Sequence, residues 1–140
     1  MNKLITAVAA VGLSVLGATA VGGAQPAAAI GCRGLSTTPQ FNSTGGVVGK
    51  WSIIECAAGQ RIYAQAQIVE TDTFSDDVIY NSGPFTVTAN SVGKWTGQYT
   101  TACRNTEAGN EEFVTRIRLS SNGTSWGPWV KSSSYLNAPC

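Results

Sequence analysis

Downstream of an apolar N-terminal stretch, hydrophobic and polar residues alternate with the period of strands rather than helices. In 61–70, Ile62, Ala64, Ala66 and Ile68 alternate with Arg61, Tyr63, Gln65 and Gln67. In 112–119, Phe113, Ile117 and Leu119 stand against Glu112, Arg116 and Arg118. The pattern predicts strands over 51–56, 61–70, 78–88, 95–102, 112–119 and 125–131, with a further short strand within 35–41. Their Thr, Val, Ile and aromatic content suits a pleated, half-buried surface. Turn residues punctuate them at Asn81-Ser82-Gly83-Pro84, Ala89-Asn90-Ser91 and Ser121-Asn122-Gly123. Evenly spaced short strands without a helical period predict an all-β fold, a small antiparallel Ig-like β-sandwich.

The first 29 residues follow a different rule. Lys3 supplies a positive start, 4–21 is apolar and uncharged, and Ala27-Ala28-Ala29 fits a small-residue cleavage site. A signal peptide over 1–29 is expected, followed by one secreted domain over 30–140. A membrane anchor fits less well, because no basic stop-transfer residues follow. Ala29-Ile30-Gly31-Cys32 imitates a lipobox only loosely, with Ala where Leu is usual and with Gln25-Pro26 interrupting the apolar run. The expected location is extracellular, with no membrane contact after cleavage.

The domain repeats itself. Val48-Gly49-Lys50-Trp51 recurs as Val92-Gly93-Lys94-Trp95, and Gly83-Pro84-Phe85 recurs at the same offset as Gly127-Pro128-Trp129. Each anchor Trp is followed by a cysteine, an Ala-Gly turn and an alternating strand. Two similar copies of a three-strand unit are expected, over about 48–91 and 92–135. Two copies are too few for a solenoid or propeller.

All four cysteines, Cys32, Cys56, Cys103 and Cys140, lie beyond the cleavage site, and an exported chain with an even count predicts two disulfides. An up-and-down meander favours Cys32–Cys56 and Cys103–Cys140. Cys32–Cys140 with Cys56–Cys103 remains open. A zinc site is disfavoured, since no pair has the C-x-x-C spacing and the chain has no His.

Charge narrows the partners. The chain carries 9 basic and 8 acidic residues, and loss of Lys3 with the signal balances them. A neutral domain has no electrostatic reason to seek nucleic acid or an anionic membrane.

The run Phe113-Val114-Thr115-Arg116-Ile117-Arg118-Leu119-Ser120-Ser121-Asn122-Gly123-Thr124-Ser125-Trp126-Gly127-Pro128-Trp129 resembles the last hairpin of fibronectin type III-like and related immunoglobulin-like domains. There an aromatic-led strand turns at Asn-Gly and returns through a Trp-rich strand. In size, export and cysteine count the chain is also similar to small disulfide-bonded proteins secreted by actinobacteria, several of which inhibit hydrolases. Neither resemblance assigns a residue a role.

Catalytic chemistry finds little support. The missing His excludes Ser-His-Asp and Cys-His sites. Glu70 and Asp72 could share a strand face as a carboxylate pair, and Asp72, Asp76 and Asp77 offer hard oxygen ligands in one loop. Both patterns are also what solvated loop tips look like, so no catalytic residue, metal or cofactor is expected. The aromatics divide by the repeat. Trp51, Trp95, Phe85, Trp129, Tyr63 and Phe113 fill equivalent roles twice and are expected in the core. Trp126 has Ser82 as its counterpart and stands three positions from Trp129, so strand alternation points it outward. Arg116 and Arg118 are expected on that outer face, and Tyr80, Tyr99 and Tyr135 are weaker candidate contacts.

The expected function is binding rather than catalysis: a secreted inhibitor of an extracellular hydrolase, using loops 71–77, 104–110 or 121–126. The alternatives are a carbohydrate or cell-wall binding module and a structural surface protein. The expected partner is an extracellular protein or glycan.

Overall fold

A computed structural model describes residues 31–103 and 109–140. The expected signal segment 1–29 lies outside the described residues, as do residues 104–108 of the loop after Cys103. The described chain is all-β, with ten strands and two antiparallel sheets.

The first sheet holds β1 (Arg33–Ser36), β2 (Gln40–Phe41), β3 (Gly46–Ile54) and β7 (Trp95–Ala102). Strand β3 is central, with β7 along one edge and β1 and β2 sharing the other. The second sheet holds β4 (Arg61–Thr71), β5 (Asp76–Asn81), β6 (Phe85–Thr88), β8 (Glu111–Ser120), β9 (Val130–Lys131) and β10 (Leu136–Ala138). Its centre is the β4–β8 pair, in register from Tyr63↔Ser120 to Glu70↔Phe113. Strands β5 and β6 share the far edge of β4, and β9 and β10 share the far edge of β8.

The alternation read from the sequence becomes the core. Val47, Trp51 and Ile53 of β3 face Ile62, Ala64, Ala66 and Ile68 of β4 and Phe113, Ile117 and Leu119 of β8, all at most 3% exposed. Burial of this kind stabilises by about 25 cal/mol per Å² of apolar surface. The buried Thr115 hydroxyl is satisfied by the Thr37 carbonyl, which ties the β1–β2 connection to β8.

Both disulfides pair as the meander favours, Cys32–Cys56 and Cys103–Cys140, and no described cysteine is free. They staple opposite ends of β3. Arg33 pairs with Ile54 next to the first bridge, and Ala102, before Cys103, pairs with Gly46. Such bridges belong to a chain that matures in an oxidising compartment.

The three-strand units are visible in the strand order. Strand β3 lies in the first sheet and leads to β4 and β5–β6 in the second. Strand β7 lies in the first and leads to β8 and β9–β10 in the second. The matching tetrapeptides, however, take different local structures. Gly49 is buried within β3, whereas Gly93 closes a turn at φ 69° and Val92 is 70% exposed.

Two expected strands break where side chains capture the backbone. The 78–88 strand is interrupted because the Ser82 hydroxyl, in place of a ladder carbonyl, accepts the Ala66 N–H, while Asn81 Oδ1 accepts the Gly83 N–H. Pro84 has no N–H to donate. The 125–131 strand shrinks to Val130–Lys131. Ser120 Oγ accepts the N–H groups of Asn122 and Gly123, and Asn122 Oδ1 accepts those of Thr124 and Ser125. These side-chain bonds compete with the ladder.

The expected core set of six aromatics therefore divides. Trp51 and Phe113 are core, and Phe85 and Trp95 pack against it. Tyr63 and Trp129 are not core residues. Tyr63 is out of phase with the inward Ile62 and Ala64, and Trp129 lies in the segment that has left the ladder.

Candidate functional site

Three features outside the core carry side chains arranged for contact. The first is on the outer face of β4 and β8. Arg116 and Arg118 point there because their neighbours Thr115, Ile117 and Leu119 point inward. The guanidinium of Arg118 lies 4.9 Å from the Trp126 ring centre and 4.7 Å from that of Trp129, and Arg116 lies 4.7 Å from the same Trp129 ring. The result is a stack in the order Trp126, Arg118, Trp129, Arg116. Trp126 and Trp129 therefore face the same side, contrary to strand alternation, because 125–129 is not in a ladder. A three-residue period, unlike a two-residue one, returns residue i+3 to the side of residue i.

The stack is pinned from beneath. Arg118 donates from Nε and a terminal nitrogen to Gln65 Oε1 at 2.9 and 2.6 Å, and Arg116 Nε donates to Gln67 Oε1 at 2.7 Å. Gln65 passes the chain on by donating to Asn81 Oδ1 at 2.9 Å. Both glutamines face outward yet are buried, covered by the arginines and indoles. Burial lowers the Arg116 pKa from its ordinary value; Asp76 opposes this and Arg118 adds to it. Cation–π contacts of this kind contribute about 0.5–2 kcal/mol each.

The second feature is the β4–β5 hairpin. Thr71 pairs with Asp76, and the Asp72 N–H bonds the Ser75 carbonyl at 3.1 Å, closing a tip of Thr73 and Phe74. Phe74 is 99% exposed. Asp76 reaches back over the sheet to Lys131, 3.7 Å away, so the tip and the stack belong to one surface.

The third feature lies where the edges of the two sheets meet. Tyr80 on β5 stacks on Tyr99 on β7, with ring centres 3.8 Å apart and planes 13° apart, and Trp51 stands 6.1 Å from Tyr80. Phe85 and Trp95 pack at 5.5 Å beside them. A cleft of about 280 Å³ opens between these rings. The indole N–H of Trp51 is buried without a hydrogen-bond partner among the described residues, a condition that costs about 1–3 kcal/mol.

Of the residues expected to make contacts, the structure brings Arg116, Arg118 and Trp126 together and places Tyr80 in the separate cleft. Tyr99, a weaker candidate, joins Tyr80 there; Trp129 was expected in the core, and Phe74 was not singled out. One signal for the cleft is present in the sequence: Gly49-x-Trp51 and Trp95-x-Gly97 place a glycine two residues from a tryptophan on one strand face. A Cβ at Gly49 would lie 2.7 Å from the Trp51 ring, and one at Gly97 would lie 2.4 Å from the Trp95 ring. Each indole lies along its own strand, where only glycine leaves room.

The carboxylates regroup. Glu70, Asp72 and Glu111 bring one oxygen each within 4.8 Å of one another, while Asp76 pairs with Lys131. Glu70 is wholly buried and Glu111 is 3% exposed, and both are engaged within the fold. Burial at that depth keeps a substrate away from Glu70.

No protein-family profile matches the chain, and no curated protein matches it. Among solved structures, the chain is similar to DesR, a beta-glucosidase from Streptomyces venezuelae in complex with D-glucose. The identity is 12% and the TM-score 0.40, over 77% of this chain and 15% of that one. A likeness of that size assigns neither fold nor activity.

Proposed function

We propose that the protein is exported through segment 1–29 and acts outside the cell as a binding protein that inhibits an extracellular hydrolase. The observation that carries this reading is Phe74, almost wholly exposed at the tip of a hairpin rooted in the central β4 strand. A large aromatic held in water by a stapled sheet enters a partner's pocket at little ordering cost. The Trp126–Arg118–Trp129–Arg116 stack extends the same surface. Tryptophan and arginine, the types enriched at interface hot spots, would flank the anchor there. Thus Phe74 would seat in the enzyme's cleft, with Trp126, Arg116 and Arg118 as the rim contacts. Tyr80 faces away from this surface and serves the cleft between the sheets.

The test is inhibition of purified hydrolases, proteases and glycosidases alike, from the producer's medium by residues 30–140. At least one is inhibited stoichiometrically, and Phe74→Ala weakens that inhibition about 30-fold, the equivalent of roughly 2 kcal/mol at a hot spot. Inhibition of none of them, or inhibition that survives Phe74→Ala, overturns the reading.

A further inference from the structure

We propose that the cleft between β5–β6 and β7 is a second binding site, which takes one ring of a neutral glycan. It lies on the side of the sandwich away from the β9–β10 edge, where the edge strands of the two sheets approach. Its walls are the stacked Tyr80 and Tyr99, and Trp51, Trp95 and Phe85 complete the aromatic lining. The edge is open there because the ladder of β4 passes from β5 to β6 through Ser82 rather than through a continuous strand. Gly97, in register with Trp51, leaves the room that the Trp95 ring occupies on the cleft wall.

Three observations select the ligand. No residue lining the cleft carries a charge at neutral pH, so nothing there offsets the desolvation of a phosphate, carboxylate or ammonium group. The walls are aromatic faces, which suit the flat C–H face of a sugar ring. The lining also includes polar residues, Ser82 and the two tyrosines, beside the rings. The volume, about 280 Å³, lies just below the range of about 300–1,000 Å³ typical of small-molecule pockets. It therefore suits a single ring of a longer chain rather than several.

This site is independent of Phe74 and the Trp–Arg stack, so it stands or fails separately from the inhibitory reading. The experiment is titration of the oxidised mature protein with short neutral oligosaccharides: glucans, xylans, mannans and N-acetylglucosamine oligomers. It is followed by tryptophan fluorescence and by calorimetry. One class binds with a change in indole emission. Tyr99→Ala, at a half-exposed position, weakens it at least tenfold in protein whose circular dichroism shows the fold intact. Gly97→Ala, which must displace the Trp95 ring, weakens it as well, and Val92→Ser on the neighbouring turn does not. Absence of binding to every neutral oligosaccharide, or binding that survives both Tyr99→Ala and Gly97→Ala in folded protein, overturns the proposal. Preference for charged oligosaccharides or for aromatic peptides over neutral glycans does the same.

Discussion

Tyr80 and Tyr99 stack face to face across the gap between the sheets, their ring centres 3.8 Å apart. Burial first, and the neighbouring Tyr99 second, raise the Tyr80 pKa above its ordinary value of 10.0. The phenol thus stays protonated in the folded chain at a pH where the unfolded chain has begun to ionise. Its contribution to stability is complete below pH 10.0 and is lost as pH rises toward the folded value. Denaturant midpoints measured through that window fall with pH, and Tyr80→Phe makes the fall shallower.

The Trp–Arg stack is a stability element as well as a surface. Arg118→Ala removes two cation–π contacts and both bonds to Gln65, and uncovers a buried amide. A loss of about 2–3 kcal/mol is expected. Arg118→Lys recovers only part of it, since an ammonium lacks the planar fork. Urea denaturation of the two variants measures both effects.

The two bridges close loops with sequence separations of 24 and 37 residues. The chain-entropy account assigns them about 3.5 and 4 kcal/mol. Replacing either pair by alanine lowers the unfolding free energy within about 2–5 kcal/mol. Reduction of both leaves a chain unfolded at 37 °C, visible as loss of near-ultraviolet dichroism.

Two left-handed glycines separate conformational cost from collision. Gly59 has φ 74° and open space where a Cβ would stand, so Gly59→Ala costs about 1–2 kcal/mol. Gly93 has φ 69°, and a Cβ there would lie 2.1 Å from the Cys56 carbonyl oxygen. Gly93→Ala therefore destabilises by more than Gly59→Ala and loosens the turn that carries the Cys56 N–H bond to the Gly93 carbonyl. Thermal denaturation of the two variants side by side checks the order.

Arg116 and Arg118 were legible as outer-face residues because β8 pairs with β4 without interruption from Phe113 to Ser120, and there the two-residue period holds. Trp126 was expected on that face too, though by an alternation that 125–129 does not follow, whereas Trp129 was expected inside. The period lapses where Ser120 and Asn122 capture the backbone, and the sides of the following residues then depend on the loop's path. The place of Tyr80 was not legible, since its neighbour Tyr99 belongs to the other sheet.

By itself, the sequence determined the strand class and the inward faces of β4 and β8, and it favoured, without fixing, the cysteine pairing found. Each follows from alternation along one strand or from the order of strands along the chain. Tertiary structure alone decided that Phe74 stands in water, that two tryptophans interleave with two arginines, and that five aromatics enclose a cleft. These depend on how separate strands approach and where side chains replace the ladder, and no local period encodes either.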